Sequence, residues 1–133
     1  MTLQELNVHL DIVQELQRAK EALSNLEARI MGAQKLDGMP HSHTAARNTE
    51  QIAIIIGIQR EEVSRLEKIA RKSEEEIKAF IDTIGDNRTR LIFRLRFLCG
   101  CKWEDIADLI GWEGTVDAVK MNCYRYLQET DCS

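Results

Sequence analysis

Residues 103–111 have the sequence WEDIADLIG, and this stretch decides the architecture of the C-terminal part of the chain. Ile106 and Ile110 are four positions apart, so they lie on one face of a helix. Gly111 is suited to the left-handed backbone that ends a helix. Ala107 is small enough to let a following helix cross closely. The pattern predicts the first helix and the turn of a helix-turn-helix.

Glycines on both sides of this stretch delimit two further short helices. Before it we predict a helix over residues 88–99 that ends at Gly100, and after it a helix over about residues 115–128. The buried side of the last helix is predicted at Val116, Val119, Cys123 and Leu127. Residues 88–128 are therefore predicted to form a trihelical module.

The first part of the chain is dominated by two long amphipathic helices. Thr2 and Glu5 have the spacing of a capping box, in which a hydroxyl and a carboxylate satisfy the first free amides of a helix. This helix is expected to end at Gly32 or Gly38. Its apolar residues recur every three or four positions, at Leu3, Leu6, Leu10, Val13, Leu16, Ala19, Leu23, Leu26 and Ile30.

A connection over residues 32–47 is predicted to lead to a second long helix, which begins near Asn48 or Thr49. Residues 52–58 are apolar on several faces and rich in isoleucine, so a strand is the alternative there. Charged residues in helical register favour the helix, and the extra apolar faces are a candidate oligomer contact. The stripe has heptad spacing, at Ile52, Ile56, Gln59, Val63, Leu66, Ala70, Ser73, Ile77, Phe80 and Ile84.

Helices of this length do not bury their apolar stripes unaided, so we expect them to pack on each other or on another subunit. A long antiparallel helical hairpin, coiled-coil-like and able to form a homo-oligomer, is the simplest arrangement. Residues 85–87, Gly-Asp-Asn, are a turn signal. The predicted fold is all-α, with a hairpin domain over residues 1–85 for spacing or oligomerisation and a C-terminal helix-turn-helix domain over residues 86–133.

Charge and cysteine usage limit the possible functions. The formal net charge is −4, which argues against binding nucleic acid or anionic membrane by overall charge alone. Four cysteines without an apolar leader favour a reduced, cytoplasmic location in a bacterial host cell, and no apolar run is long enough for a membrane span. A role in nucleic-acid binding must therefore be local. The segment that favours it holds one acid, Asp86, and five basic residues, Arg88, Arg90, Arg94, Arg96 and Lys102.

The module resembles region four of bacterial sigma factors. The matching segments are residues 94–97 (RLRF), Gly100, residues 103–107 (WEDIA), residues 109–111 (LIG) and residues 114–116 (GTV). With the long hairpin in front, the chain looks like the small ArpU-like transcription regulators of phages and prophages. The resemblance implies recognition of double-stranded promoter DNA and contact with RNA polymerase.

The resemblance also implies which side chains meet DNA. Its pattern places Glu113, Gly114, Asp117, Ala118 and Met121 toward the groove, a set with few base-contacting groups. Asn122 is the best candidate for a base contact, to adenine, and the basic residues suit phosphates. The candidate DNA-binding residues are Arg88, Arg90, Arg94, Arg96, Lys102, Lys120, Asn122 and Arg125. The spacing before residue 115 is one shorter than in the family and lacks its Ser, which predicts that the last helix has no N-cap.

Other functions fit parts of the pattern. The acidic character of the last helix and of the whole chain favours an adaptor that docks on RNA polymerase or another factor without contacting bases. A trihelical fold without DNA binding is a further alternative, in which the basic residues form an ordinary solvated face. A phage packaging subunit also joins a helix-turn-helix to a coiled coil, but in the opposite order.

No cofactor, metal or catalytic role is predicted. Cys99 and Cys101 lack the two-residue spacer of zinc sites, and we expect Cys99 and Cys123 to be buried thiols. His41 and His43 have no third metal ligand nearby and are expected to be exposed. A Gly-rich phosphate loop and a nucleophile paired with histidine are both missing from the sequence, so we expect no enzyme. The two tryptophans, Trp103 and Trp112, are expected to cover the core of the module.

Overall fold

The computed structural model describes the backbone of residues 1–34, 43–111 and 115–131, and the side chains of residues 1–31, 49–111 and 115–130. Apart from short connections these residues are helical, and the described ranges contain no strand, which confirms the all-α prediction. The α-helices are α1 (Leu3–Gln34), α2 (His43–Asp82), α3 (Asn87–Phe93), α4 (Trp103–Ile110) and α5 (Val116–Asp131), and a π-helical segment, Arg94–Leu98, follows α3.

The ends of the long helices differ from the predicted ones. Helix α1 continues through Gly32 to Gln34, and α2 begins at His43 instead of Asn48 or Thr49. A single glycine inside a helix costs only about 1 kcal/mol relative to alanine, so it need not end one. The predicted connection over residues 32–47 was therefore too long, and residues 35–42 lie outside the described part of the chain.

The start of α1 is capped as predicted. The Glu5 backbone N–H donates to Thr2 Oγ1 at 3.2 Å, and the Thr2 N–H donates to Glu5 Oε2 at 3.0 Å. These reciprocal bonds are those of a capping box. Helix α2 confirms the helical prediction for residues 52–58 over the strand alternative.

The chain divides into two compact units, Val13–Ile69 on the one hand and Met1–Ile12 with Ala70–Ser133 on the other. These bounds differ from the predicted domains 1–85 and 86–133. In the unit Val13–Ile69, Ala19, Val63 and Leu66 form a small core. Ion pairs join Glu27 to Arg60 at 3.2 Å and Lys20 to Glu67 at 3.5 Å, so the two helices run antiparallel within this unit.

The other unit holds the larger core. Its buried residues come from α1, α2 and all the C-terminal helices. A polar pair lies among them: His9 is 2% exposed, and its Nδ1 is 2.8 Å from Ser73 Oγ. The apolar members of the core are Leu6, Ile77, Ile81, Ile84, Ile92, Phe93, Phe97, Ile106, Val119, Cys123 and Leu127.

The predicted stripe of α2 is confirmed, because each of its ten positions is buried or partly buried. The stripe of α1 was wrong at Val13, which is 40% exposed, whereas His9 takes a buried position on that helix. The isoleucine-rich segment of α2 leaves Ile54, Ile55 and Ile58 between 48% and 65% exposed. None of the described helices is long and apolar enough to cross a membrane.

The C-terminal helices follow the prediction closely, with one difference in the first. The predicted single helix over residues 88–99 is α3 followed by the π-helical segment, in which the Cys99 N–H donates to Arg94 O at 3.0 Å. Gly100, with φ of 72°, ends it in the left-handed region. The extra residue in the π turn is what makes the first predicted helix irregular at its end.

The middle helix, α4, has the predicted bounds and ends as expected. Gly111 has φ of 66°, and its N–H donates to Ala107 O at 3.3 Å. Ile106 is fully buried, and Ala107 and Ile110 pack against the same core. Helix α5 contacts both α3 and α4. Of the predicted buried side of α5, Val119, Cys123 and Leu127 are buried, whereas Val116 is partly buried.

Candidate nucleic-acid interface

Helix α5 begins with a side-chain cap, contrary to the prediction that the cap is missing. Thr115 Oγ1 accepts from the Ala118 backbone N–H at 3.2 Å, and the Val119 N–H donates to Thr115 O at 3.2 Å. A threonine hydroxyl at this position satisfies one of the free amides of the first turn. The prediction failed because the cap was sought at the family's spacing, one residue earlier. Residues 112–114 lie outside the described ranges.

The face of α5 opposite its buried stripe is open to solvent. Of the residues that the family pattern directs toward a DNA groove, Asp117, Ala118 and Met121 are exposed, and the Met121 side chain is 54% exposed. Glu113 and Gly114, the other two, are among the residues that are not described. A helix with one buried and one open face, held at its start by a cap, can present side chains to a macromolecule.

Three candidate DNA-binding residues come together in one groove. Arg88, from the first turn of α3, lines it with Asn122 and Arg125 of α5. Asp86, Ala118 and Met121 complete the lining, and the groove has a volume of about 530 Å³. Two guanidinium groups beside an amide suit phosphate and base edges in combination.

Asp86 is the acidic member of the groove and the N-cap of α3. Its Oδ2 accepts from Thr89 Oγ1 at 2.7 Å and from the Thr89 N–H at 3.1 Å. These two hydrogen bonds hold the pKa of the Asp86 carboxyl below its usual value, and the nearby charge of Arg88 lowers it further. Asp86 therefore carries a negative charge at neutral pH.

Arg90, predicted to contact DNA, is instead used inside the module. Its Nη1 donates to Ile84 O at 3.3 Å, and its Nη2 donates to Asn87 Oδ1. These bonds tie α3 to the backbone that follows α2. The guanidinium is thus occupied by the turn around residues 84–87.

Arg96, another predicted DNA contact, also has an internal role. Its Nη1 donates to Cys101 O at 3.0 Å, and its guanidinium carbon lies 4.7 Å from the centre of the Trp103 ring. Arg96 Nε is buried without a hydrogen-bond partner. The side chain therefore fixes the connection from the π-helical segment to α4 rather than extending into solvent.

The remaining basic candidates lie apart from the groove. Arg94 is exposed and 3.7 Å from Asp82 Oδ1, and Lys102 is exposed just before α4. On α5, Lys120 and Asn122 are two positions apart, which places them roughly 160° apart around the helix axis since each residue turns about 100°. Lys120 therefore lies on a different side of α5 from Asn122.

The cysteines differ in exposure. Cys123 is fully buried as predicted, and burial raises the pKa of its thiol to about 12 while the charge of Arg96 opposes the rise. Cys99 was predicted to be buried, but it is exposed because the π-helical turn shifts the helix end. Cys132 lies beyond the described residues. Among the described residues, groups of three His, Cys, Asp or Glu side chains that could hold a metal ion are absent.

The tryptophans and histidines are described only in part. Trp103 packs against the core of its unit and meets the Tyr124 ring edge-on, with centroids 6.1 Å apart. Trp112 and His41 are outside the described residues, as is the side chain of His43.

Asp86 is the member of the site that sequence reasoning missed. It entered only as a turn residue and as the single acid near the basic cluster. The sequence indicates Asp86 as an N-cap through the spacing of Asp86 and Thr89, three positions apart at the start of a helix. In the structure the Thr89 hydroxyl donates to the Asp86 carboxylate.

The chain matches no protein-family model, no curated protein and no solved structure.

Proposed function

We propose that this protein is a DNA-binding transcriptional regulator of the phage and prophage type, which recognises promoter DNA through its C-terminal helices. The observation that carries the proposal is the groove in which Arg88 of α3 meets Asn122 and Arg125 of α5, beside the open face of α5. The sigma-like pattern of residues 94–116 is the reason for taking the DNA to be a promoter.

The chemistry of the groove assigns a task to each side chain. Arg88 and Arg125 are exposed and carry the positive charges that bind phosphates. Asn122 is partly exposed in the same groove and can make the paired hydrogen bonds to adenine that an amide supports. Lys120, which is partly exposed on another side of α5, would bind a further phosphate.

Few phosphate contacts make for weak binding by a single module, so we include oligomerisation in the proposal. The exposed isoleucines Ile54, Ile55 and Ile58 of α2 support this, because adjacent exposed apolar side chains of this size are typical of contact surfaces. Two linked modules would bind two half-sites, and the linkage would raise the effective affinity.

The test is the salt dependence of binding to labelled promoter fragments. We expect Arg88→Ala and Arg125→Ala each to reduce the slope of log affinity against log salt by about 0.9, the loss of one phosphate contact. Arg71→Ala is the matched control, because Arg71 is an exposed arginine of α2 that does not line the groove. Equal slopes for wild type and all three variants would count against the proposal.

A second candidate function is an adaptor that docks on RNA polymerase or another factor without contacting bases. Helix α4 favours it, because Leu109 is 66% exposed and follows the exposed acids Asp105 and Asp108 by four positions and one position on that helix. Retention of polymerase subunits by a protein that shifts no DNA, abolished by Leu109→Ser, would select this candidate.

A further inference from the structure

We propose that Asp86 is a counter-charge within the DNA-binding groove, which lowers the affinity for non-specific duplex DNA by opposing the two arginines. This inference rests on the proposed function and concerns the regulation of affinity at the same site. Among the described residues that line the groove, Asp86 is the one whose charge repels nucleic acid, and the proposal assigns a role to it.

The geometry places Asp86 where a bound phosphate would meet it. Asp86 lines the same groove as Arg88, Asn122 and Arg125. Its Oδ2 is fixed by two bonds to Thr89, and Thr89 itself is only 4% exposed. A phosphate that binds Arg88 or Arg125 in this groove therefore approaches a carboxylate that does not swing away.

The charges that line the groove set how strongly Asp86 lowers the affinity for DNA. Of the residues that the structure describes, two arginines and one aspartate line the groove, which gives a formal charge of +1, and replacing Asp86 by a neutral residue makes it +2. Screened repulsion between unit charges a few ångströms apart at a protein surface corresponds to about a threefold to tenfold change in affinity.

The cap does not require that charge. Asparagine is about as good an N-cap as aspartate, so the helix start can be kept while the charge is removed. Non-specific binding is almost wholly electrostatic. A carboxylate in the groove therefore weakens binding to every DNA sequence alike. The base contact of Asn122 then contributes a larger share of the total binding free energy.

The experiment compares wild type, Asp86→Asn and Asp108→Asn on a fluorescein-labelled duplex of random sequence, by anisotropy at about 50 mM and about 200 mM salt. Asp108→Asn is the matched control, since it removes one exposed acid from α4 outside the groove. Thermal unfolding of each variant verifies that the caps and the fold are kept.

We expect Asp86→Asn to bind random duplex about threefold to tenfold more tightly than wild type at the lower salt, with a smaller gain at the higher salt. We expect Asp108→Asn to match wild type. If wild type binds and Asp86→Asn gains no more than Asp108→Asn, the counter-charge is refuted while the proposed function stands. If none of the three proteins binds, both are refuted, whereas binding by Asp86→Asn alone supports the counter-charge.

Discussion

Arg96 and Arg88 both belong to the basic segment of the sequence, but Arg96 contacts Cys101 and Trp103 whereas Arg88 lines the groove, and truncating each to alanine tests whether their roles differ. Arg96→Ala removes the hydrogen bond from Nη1 to Cys101 O and the stacking over Trp103. Arg88→Ala removes an exposed side chain at the edge of the groove. We expect the first variant to lose stability and the second to lose DNA affinity.

The magnitude for Arg96 follows from its contacts. A hydrogen bond from a charged donor contributes roughly 1.5–3 kcal/mol, and cation–π stacking at a partly exposed site about 0.5–1 kcal/mol. The wild type also buries Arg96 Nε without a hydrogen-bond partner, which costs about 1–2 kcal/mol. The alanine variant avoids that cost, so its net loss of stability is smaller. The midpoints of these ranges give a net destabilisation of about 1.5 kcal/mol, which lowers Tm by about 4–9 °C for a chain of this size.

The assay is thermal unfolding followed by circular dichroism, with DNA binding measured at a temperature where both variants are folded. Arg88→Ala is expected to stay within about 0.5 kcal/mol of wild type, as surface substitutions usually do. If Arg96→Ala unfolds like wild type but loses as much DNA affinity as Arg88→Ala, the internal role of Arg96 is wrong.

Two further predictions concern titratable groups. Burial lowers the pKa of His9 below 6.5, against the raising effect of Glu74, so the unfolded state binds more protons below that pH. The contribution of His9 to the free energy of unfolding should be constant above about pH 6.5 and should fall as the pH drops from there toward the folded-state pKa of His9. Urea unfolding at about pH 7.5 and about pH 5.5 should show a loss in wild type that His9→Gln lacks, and an equal loss in both would contradict it. Iodoacetamide should alkylate exposed Cys99 in the native protein and leave Cys123, whose pKa is about 12, unmodified until denaturant is added. Peptide mass mapping shows which cysteine is alkylated first, and alkylation of Cys123 in the native protein would refute its buried position.

Local patterns gave the helices and their buried faces. The bounds of α4, the left-handed Gly111 and the stripe Val119, Cys123 and Leu127 all depend on neighbours within one or two turns, and all were predictable. The capping box of α1 was predictable for the same reason.

Features that depend on distant partners were not predictable. His9 pairs with Ser73, which is 64 positions away, and neither residue type predicts this pairing. His9, a polar residue, is buried on α1 beside its partner Ser73, whereas the apolar Val13 is 40% exposed. The spacing of apolar residues does not predict either position.

The candidate site divides in the same way. That basic residues cluster after residue 86 is a property of the sequence, but which of them make hydrogen bonds inside the module is decided by the positions of backbone carbonyls. Arg90 and Arg96 are taken up by Ile84 O and Cys101 O, whose positions depend on the turns before α3 and before α4. Arg88 lines the groove, but sequence spacing alone could not bring it to Asn122 and Arg125 of α5.

Photo-crosslinking tests the proposed interface most directly. A photoreactive amino acid is placed either at Met121, which is 54% exposed in the groove of α5, or at Leu109, which is 66% exposed on α4. With labelled promoter DNA, we predict a covalent protein–DNA product from position 121 and none from position 109. A product from position 109 alone, or from neither position under conditions where the DNA is shifted, would contradict the assignment of α5 as the DNA-binding helix.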